Sequence, residues 1–267
     1  MSGERVVRLV RHQHAEEVDE AVERVQAVAG RAGWTVVEGE ESDSRPELCV
    51  ALGGDGTILR AMRETLDDGC PVFGVNYGRV GFLAAVEADR LESGLDRALA
   101  GEVEVLELPG LEVTWDGGSM LGLNDVAFLR RPRAGIAELG YRISGEEVGR
   151  VRCDGLVAAT PTGSTGYNLA NSGPILAWGV EGFAVTYIAP HTLTARALVV
   201  APADVLGVVN HRSRDSVEVV VDGVEAGELE PGATADVSFR EGIGRLAQLP
   251  GANFYHRIAE KFGHLAS

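Results

Sequence analysis

The sequence is almost without lysine. Lys261 is the single one, so every other fixed cation is an arginine. A chain of this kind that handles phosphates must use arginine, backbone N–H groups or a metal ion, and the planar guanidinium can hold two phosphate oxygens at once. The preference across the whole chain reads as arginine-rich coding bias or salt adaptation. Positive charge is short altogether: 24 Lys and Arg stand against 40 Asp and Glu, a formal charge of −16. That balance disfavours wholesale binding to nucleic acid or to an anionic membrane and leaves room only for a local basic pocket. Cysteine is scarce too. Cys49, Cys70 and Cys153 show no C-x-x-C spacing, which argues against a disulfide framework or a zinc site and for core packing beside apolar runs. No apolar run reaches the ~18–20 residues of a membrane span. The first residues, MSGERVVRLVRHQH, lack the apolar centre of a signal peptide, so a reducing cytoplasm is expected. His12 and His14 form an H-x-H pair with no further ligand cluster and read as a strand end; the identity of any metal ligand stays open.

What is present is an ordinary globular mixture, 267 residues with 45% hydrophobic side chains, enough for one large domain or two modest ones. The first hundred residues alternate strand and helix. Arg5–Val10 is β-branched, and Glu16–Ala32 carries Val18, Ala21, Val22, Val25 and Val28 at helical spacing up to a closing Gly33. Trp34–Val37 reads as a strand, Glu38–Glu47 as an acidic loop, and Leu48–Leu52 as a fully apolar strand. Ile58–Leu66 is helical, Pro71–Val75 a buried strand, and Asp89–Ala100 a helix. Such alternation implies a parallel sheet in an α/β layer structure. From residue 102 the pattern changes to short runs split by Gly and Pro: Val103–Leu108, Leu111–Trp115, Gly122–Leu129, Leu139–Ile143, Ala184–Ile188, Leu198–Ala201, Ser216–Val221 and Ala235–Phe239. These predict an antiparallel, sandwich-like β domain. Ala252–Phe262 returns to helix. The expected organisation is an α/β domain over 1–101, a β-rich domain over 102–250, and a terminal helix within 251–267 that packs back on the first domain.

One motif dominates. The strand Leu48–Leu52 runs into Gly53-Gly54-Asp55-Gly56-Thr57. Neither a Walker A loop nor G-x-G-x-x-G is present, yet the physics is related. Glycines let the backbone turn sharply and bring N–H groups to a phosphate, and a helix start adds partial positive charge. A carboxylate beside polyphosphate is repelled unless it binds a metal or accepts a proton, and both roles belong to phosphoryl transfer. An Asp-Gly pair alone would be a plain turn; the full G-G-D-G-T directly after an apolar strand favours the functional reading.

G-G-D-G-T is shared by NAD kinases, by diacylglycerol and sphingosine lipid kinases, and by 6-phosphofructokinases. Further segments, in order, resemble the NAD kinase family: Gly74-Val75-Asn76-Tyr77-Gly78-Arg79-Val80-Gly81-Phe82-Leu83, then Leu123-Asn124-Asp125-Val126, then the stretch from Asp154 to Tyr167 (DGLVAATPTGSTGY), then Ile188–Val199 (IAPHTLTARALV), then Asp222-Gly223. The resemblance covers most of the chain from Leu48 to Asp222. It implies a Rossmann-like α/β domain followed by a β-sandwich domain, and an enzyme that places a phosphate from ATP on the adenosine ribose 2′-hydroxyl of NAD to give NADP. It implies Mg²⁺ or another divalent metal as cofactor, and a homodimer or homotetramer. Asp55 would accept the hydroxyl proton, and Gly53, Gly54, Gly56 and Thr57 would cradle the ATP phosphates. NAD would lie in a cleft, held by Gly56, Arg60, Asn124, Asp125, Arg152, Asp154, Thr165, Gly166, Tyr167, Asn168, Ala170, Ala189 and Asp222.

Read as chemistry, Asn124 and Asp125 offer an amide and a carboxylate side by side, the mixture a ribose diol needs, although Asn-Asp is also a common turn. Thr160–Tyr167 suits a loop that wraps a polar ligand with hydroxyls, with Tyr167 able to stack on a base. Arg152 and Asp154 could equally be a surface ion pair worth about 0–1 kcal/mol. The chain departs from the family pattern at Gly166, Asn168 and Ala170, where Ala, Ser and Ser are usual, and at Asp125, where Glu is usual. A lipid kinase sharing G-G-D-G-T would need an apolar acceptor pocket; a non-catalytic NAD(P)-binding regulator would keep the fold without turnover.

Overall fold

The structure, a computed structural model, describes residues 4–12, 16–39, 45–78, 81–212 and 214–263. His14, Arg79 and Val80, and residues 40–44 of the acidic loop lie outside the described residues. The chain divides into two compact units, residues 1–107 with 244–267, and residues 108–243.

In the first unit, strand β1 (Arg5–Arg11) leads into helix α1 (Glu16–Arg31), then β2 (Trp34–Glu38), β3 (Leu48–Gly53), α2 (Asp55–Glu64), β4 (Val72–Asn76), the short β5 (Val86–Glu87), a 3-10 turn (Ala88–Arg90) and α3 (Leu91–Leu99). The order β2-β1-β3-β4 is parallel throughout, and Leu246 and Ala247 continue it in parallel register against Val72 and Phe73. Parallel strands covered on both faces become uniformly apolar. Accordingly every residue of β3 and β4 is buried. Val18, Ala21, Val25 and Val28 of α1 and Leu91 and Leu95 of α3 cover the sheet, as the helical spacing predicted. The helix expected over Asp89–Ala100 starts as a tighter 3-10 turn before α3, a frequent helix beginning.

In the second unit the observed strands are β6 (Glu104–Trp115, entering from the first unit), β7 (Gly118–Gly122), β8 (Asp125–Arg130), β9 (Ala137–Ile143), β10 (Glu146–Cys153) and β11 (Gly155–Ala159), then a short helix α4 (Tyr167–Ala170). They continue as β12 (Phe183–Ile188), β13 (Leu198–Val200), β14 (Leu206–Asn210), β15 (Val217–Val221), β16 (Val224–Leu229) and the start of β17 (Thr234–Gln248), whose end belongs to the first unit together with helix α5 (Phe254–Phe262). One sheet has the order β13-β12-β11-β8-β15-β16, and the other contains β10-β9-β14 and the start of β17. Between them lies one core in which Phe128, Leu156 and Phe183 of the first sheet meet Leu139, Val208 and Val237 of the second. This is the sandwich the short alternating runs predicted.

Several boundaries differ from the sequence reading. Val103–Leu108 and Leu111–Trp115 are one strand, β6, which passes through Pro109-Gly110 without a turn. Gly122–Leu129 is divided at Leu123-Asn124 into β7 and β8. The strand β11 lies inside the segment read as a functional motif, and β10 and β16 are too polar on their outer faces to announce themselves. Ala235–Phe239 is the start of a much longer strand. Cys49, Cys70 and Cys153 are buried free thiols, as expected of packing residues. Burial pushes Cys70 and Cys153 up to about 12 and raises Cys49 as well, so none is a thiolate at neutral pH. Among the described residues no helix is long and apolar enough to cross a membrane.

Candidate active site

The glycine-rich turn behaves as its composition requires. Strand β3 ends at Gly53, whose carbonyl accepts the Tyr77 N–H. Gly54 caps α2 in extended backbone, with no side chain satisfying the helix's first N–H groups. Those orphan donors and the helix dipole make an anion site. A Cβ on Gly53 would stand 2.3 Å from Thr57 Oγ1, so only glycine fits there. A groove of about 530 Å³ opens at this turn, lined by His12, Gly53, Gly54, Gly56, Thr57, Arg60 and Tyr77 among others. The expected phosphate residues therefore share one groove with Arg60. The Arg60 guanidinium donates to the Arg11 carbonyl at 2.6 Å and lies 3.4 Å from Glu64.

Asp55, the first residue of α2, is held by groups the sequence did not reveal. Its Oδ2 accepts the Phe82 N–H at 2.8 Å and its Oδ1 accepts the Leu83 N–H at 3.0 Å. A Cβ on Gly81 would meet Asp55 Oδ1 at 2.2 Å, so the carboxylate lies directly on that glycine's backbone. Two N–H bonds fix the carboxylate plane. Each oxygen keeps a lone pair for another partner.

In the second unit the expected residues form a second cluster. Asn124 precedes β8 and Asp125 opens it. Asp222, in the turn between β15 and β16 at φ +48°, accepts the N–H groups of Leu123, Asn124 and Asp125 at 2.9, 2.6 and 3.1 Å. Its carboxylate is thus a clamp on the backbone that presents Asn124 and Asp125. The Thr160 side chain adds a second clamp, donating to the Leu123 carbonyl at 2.8 Å. Gly163 completes it, since a Cβ there would lie 2.0 Å from the Asn124 carbonyl oxygen. Asp125 is only 8% exposed. Burial first, then the Asp222 charge, raises its pKa to about 7. Asn124 Oδ1 and Thr162 Oγ1 are buried without a hydrogen-bond partner among the described residues. Unsatisfied buried acceptors and hydroxyls are costly and mark a place where a polar ligand can supply the missing bonds.

The hydroxyl-rich loop uses its side chains largely on itself. The Ser164 hydroxyl donates to the Pro161 carbonyl and accepts the Leu176 N–H. Asn168, fully buried, donates to the Ser164 and Pro174 carbonyls and accepts from the Thr186 hydroxyl. Its bonds are spent inside the fold, which makes it a brace for the Thr165–Ala170 segment. The Thr165 hydroxyl donates to the Thr162 carbonyl, whereas Gly166, Tyr167 and Ala170 are exposed. The Tyr167 phenol is raised by partial burial and then by the charges of Asp125 and Asp154, so it stands within the field of both carboxylates.

Arg152, Asp154 and Ala189 gather at the opposite end of β11. That strand begins at Gly155, paired with Leu129, and ends at Ala159, paired with Asp125. Four residue steps at ~3.3 Å each put roughly 13 Å between those ends. Asp154 pairs with Arg130 at 2.5 Å and donates its N–H to the carbonyl of Ile188, next to Ala189. Arg152 is exposed on β10. The single chain therefore does not bring these three beside Asn124 and Asp125.

Sequence comparison matches residues 5–103 to the ATP-NAD kinase N-terminal domain and residues 123–242 to the ATP-NAD kinase C-terminal domain. The chain is 37% identical over 242 residues to an NAD kinase of Symbiobacterium thermophilum, covering 88% of this chain and 86% of that one. It is 36% identical over 242 residues to an NAD kinase of Gemmatimonas aurantiaca, covering 86% and 83%. An NAD kinase from Archaeoglobus fulgidus, solved in complex with ATP, superposes with a TM-score of 0.73 at 27% identity over 97% of each chain. Yeast NADH kinase, solved with NADH, shares the fold with a TM-score of 0.84 at 22% identity, covering 99% of this chain and 89% of that one.

Proposed function

The chain belongs to the NAD kinase family and catalyses the ATP-dependent phosphorylation of NAD, and from that premise we propose that Asp55 is its catalytic base. The observation that carries this reading is the geometry of that carboxylate. It stands at a helix N-terminus that no side chain caps, beside the groove of Gly53, Gly54, Gly56 and Thr57, with both oxygens oriented by backbone N–H groups. A carboxylate there has no electrostatic reason to sit beside phosphates unless it handles a proton or a cation.

In the proposed reaction the adenosine ribose 2′-hydroxyl gives its proton to Asp55 as its oxygen attacks the γ-phosphorus of ATP. The bond from that phosphorus to the β,γ-bridging oxygen breaks, ADP leaves with the electron pair, and NADP is formed. The backbone N–H groups of the Gly53–Thr57 turn stabilise charge on the phosphates. Asn124 and Asp125 hold the ribose hydroxyls and Tyr167 covers a base. Thr165, Gly166 and Ala170 line the dinucleotide, while Asn168 and Asp222 act by bracing these residues. Arg60 and Arg152 offer guanidinium groups to phosphates, and Asp154 and Ala189 contribute polar contacts at the far end of β11.

Among the described residues no group of three or more His, Cys, Asp or Glu side chains gathers into a metal cage. Mg²⁺ does not need one, being commonly held by one or two carboxylates, substrate phosphates and water. Asp55 would be a carboxylate able to share such a cation, and a divalent cation bound with ATP would neutralise phosphate charge. A cytoplasmic homodimer or homotetramer completes the proposal, with sedimentation of a single-chain mass as the result against it. The central test is a coupled assay of NADP formation. Asp55→Asn should lower kcat by roughly 10²–10⁴-fold with the fold intact; near-normal turnover removes Asp55 from the role.

A further inference from the structure

The clasp on Asp55 is itself held from behind. Phe82 and Leu83, whose N–H groups orient the carboxylate, belong to a segment that leaves β4 and returns at β5, and they lie in no helix or strand. The carbonyls that follow them are gripped by the C-terminal part of the chain. Gln248, the last residue of β17 and 1% exposed, donates from Nε2 to the Leu83 carbonyl at 2.8 Å. Arg257 of α5 donates from one terminal nitrogen to the Ala84 carbonyl at 2.5 Å and from the other to Gln248 Oε1 at 2.7 Å. The same helix closes over the Phe82 ring. Phe254 lies 6.1 Å and Phe262 5.9 Å from it between centroids, and Lys261 Nζ stands 4.4 Å from its centre.

The helix is built to stay there. Asn253 caps it by accepting the Tyr255 N–H, and Phe254 and Ile258 are buried on one face. Desolvation lowers the Arg257 pKa, and the charge of Asp55, ahead of Glu260 and Glu87, pulls it back up. The guanidinium thus lies in the field of the carboxylate whose clasp it supports. A half-buried arginine donating to one carbonyl and one amide oxygen spends costly desolvation on orienting backbone.

We propose that Arg257 and Gln248 are positioning residues for phosphoryl transfer, holding the Phe82–Ala84 backbone where its N–H groups aim Asp55. The proposal rests on Asp55 being the base. Neither residue touches a reacting atom. Losing either lets the segment relax, and a displacement of ~1 Å at a catalytic group can cost ~10²-fold in rate.

The test measures kcat, both KM values and Tm for Arg257→Met, Arg257→Lys and Gln248→Met, with Tyr255→Ala on the exposed side of α5 as a control. Arg257→Met and Gln248→Met should each lower kcat by roughly 30–100-fold with KM for NAD and ATP within about twofold, assayed well below each Tm. Arg257→Lys, able to keep one of the two bonds, should recover to within ~10-fold of the parent, and Tyr255→Ala should match it. The double variant should lose little more than either single one, because both act through the same segment. Unchanged kcat in folded Arg257→Met overturns the proposal. So does a loss carried by KM, or a loss that tracks only the unfolded fraction. Asp55→Asn separates the two ideas: if it abolishes turnover while Arg257→Met does not, the base stands and the positioning role falls; if Asp55→Asn turns over normally, the underlying reading falls first.

Discussion

Asp125 stores a stability cost that can be read against pH. Its carboxyl is raised from an ordinary 3.8 to about 7 by burial and by the neighbouring Asp222 charge. Below pH ~3 both the folded and the unfolded chain carry the proton, and Asp125 costs almost nothing. As pH rises the unfolded chain releases it first, so folding is disfavoured progressively until the folded carboxyl ionises near 7, and the full cost persists above that. At about 1.4 kcal/mol per pH unit the cost is about 1.5 kcal/mol at pH ~5 and about 4 kcal/mol at pH ~8.5. Asp125→Asn removes it. The variant should therefore gain on the parent by about 2.5 kcal/mol between those two pH values, whatever constant difference the amide introduces. Urea unfolding of both proteins at both pH values measures this, because titrating groups that do not interact with Asp125 cancel in the difference. A gap that stays constant, or narrows, as pH rises would refute the assignment of Asp125 as a buried, charge-opposed carboxyl. On the proposal that Asp125 holds the ribose hydroxyls, the same variant should also raise KM for NAD by roughly 10–100-fold, since a carboxyl acceptor is lost.

Other outcomes follow from the packing. Gly81→Ala drives a methyl into the Asp55 carboxylate, 2.2 Å away, and should cut kcat at least ~10²-fold with a modest change in Tm. Gly163→Ala presses on the Asn124 carbonyl, 2.0 Å from the new Cβ, and should destabilise the second unit by about 1–3 kcal/mol while raising KM for NAD. Asp222→Ala strands three N–H groups and should cost at least ~2 kcal/mol in urea unfolding; a neutral result would remove its clamp role. Native protein should show almost no reaction of its three cysteines with a thiol reagent at pH ~8, and full reaction after unfolding, because all three are buried.

The sequence by itself determined the layer order and the chemistry of the phosphate turn. A uniformly apolar run such as Leu48–Leu52, closed by glycines, reads as a buried strand, and Gly53-Gly54-Asp55-Gly56-Thr57 after it reads as a sharp turn into a helix; both follow locally from residue type. The sandwich, too, was legible in its short alternating runs, although β10 and β16 were not, because polar outer faces erase the alternation. What only the tertiary structure decided is which side chains are tied into the fold by long-range hydrogen bonds. Asp222 and Asn168 belong to segments that resemble the family, and in the fold Asp222 accepts backbone N–H groups while Asn168 bonds backbone carbonyls and Thr186. Gly81, Phe82 and Leu83 stand in a segment that resembles the family, but nothing local ties them to Asp55, and Gln248 and Arg257 carry no local signal, since the bonds that matter span 27 residues from Asp55 to Phe82 and 173 from Ala84 to Arg257. Hydrogen bonds of that range are invisible to periodicity, because they depend on how the intervening elements pack and where the folded backbone then brings its N–H and C=O groups, not on any local pattern.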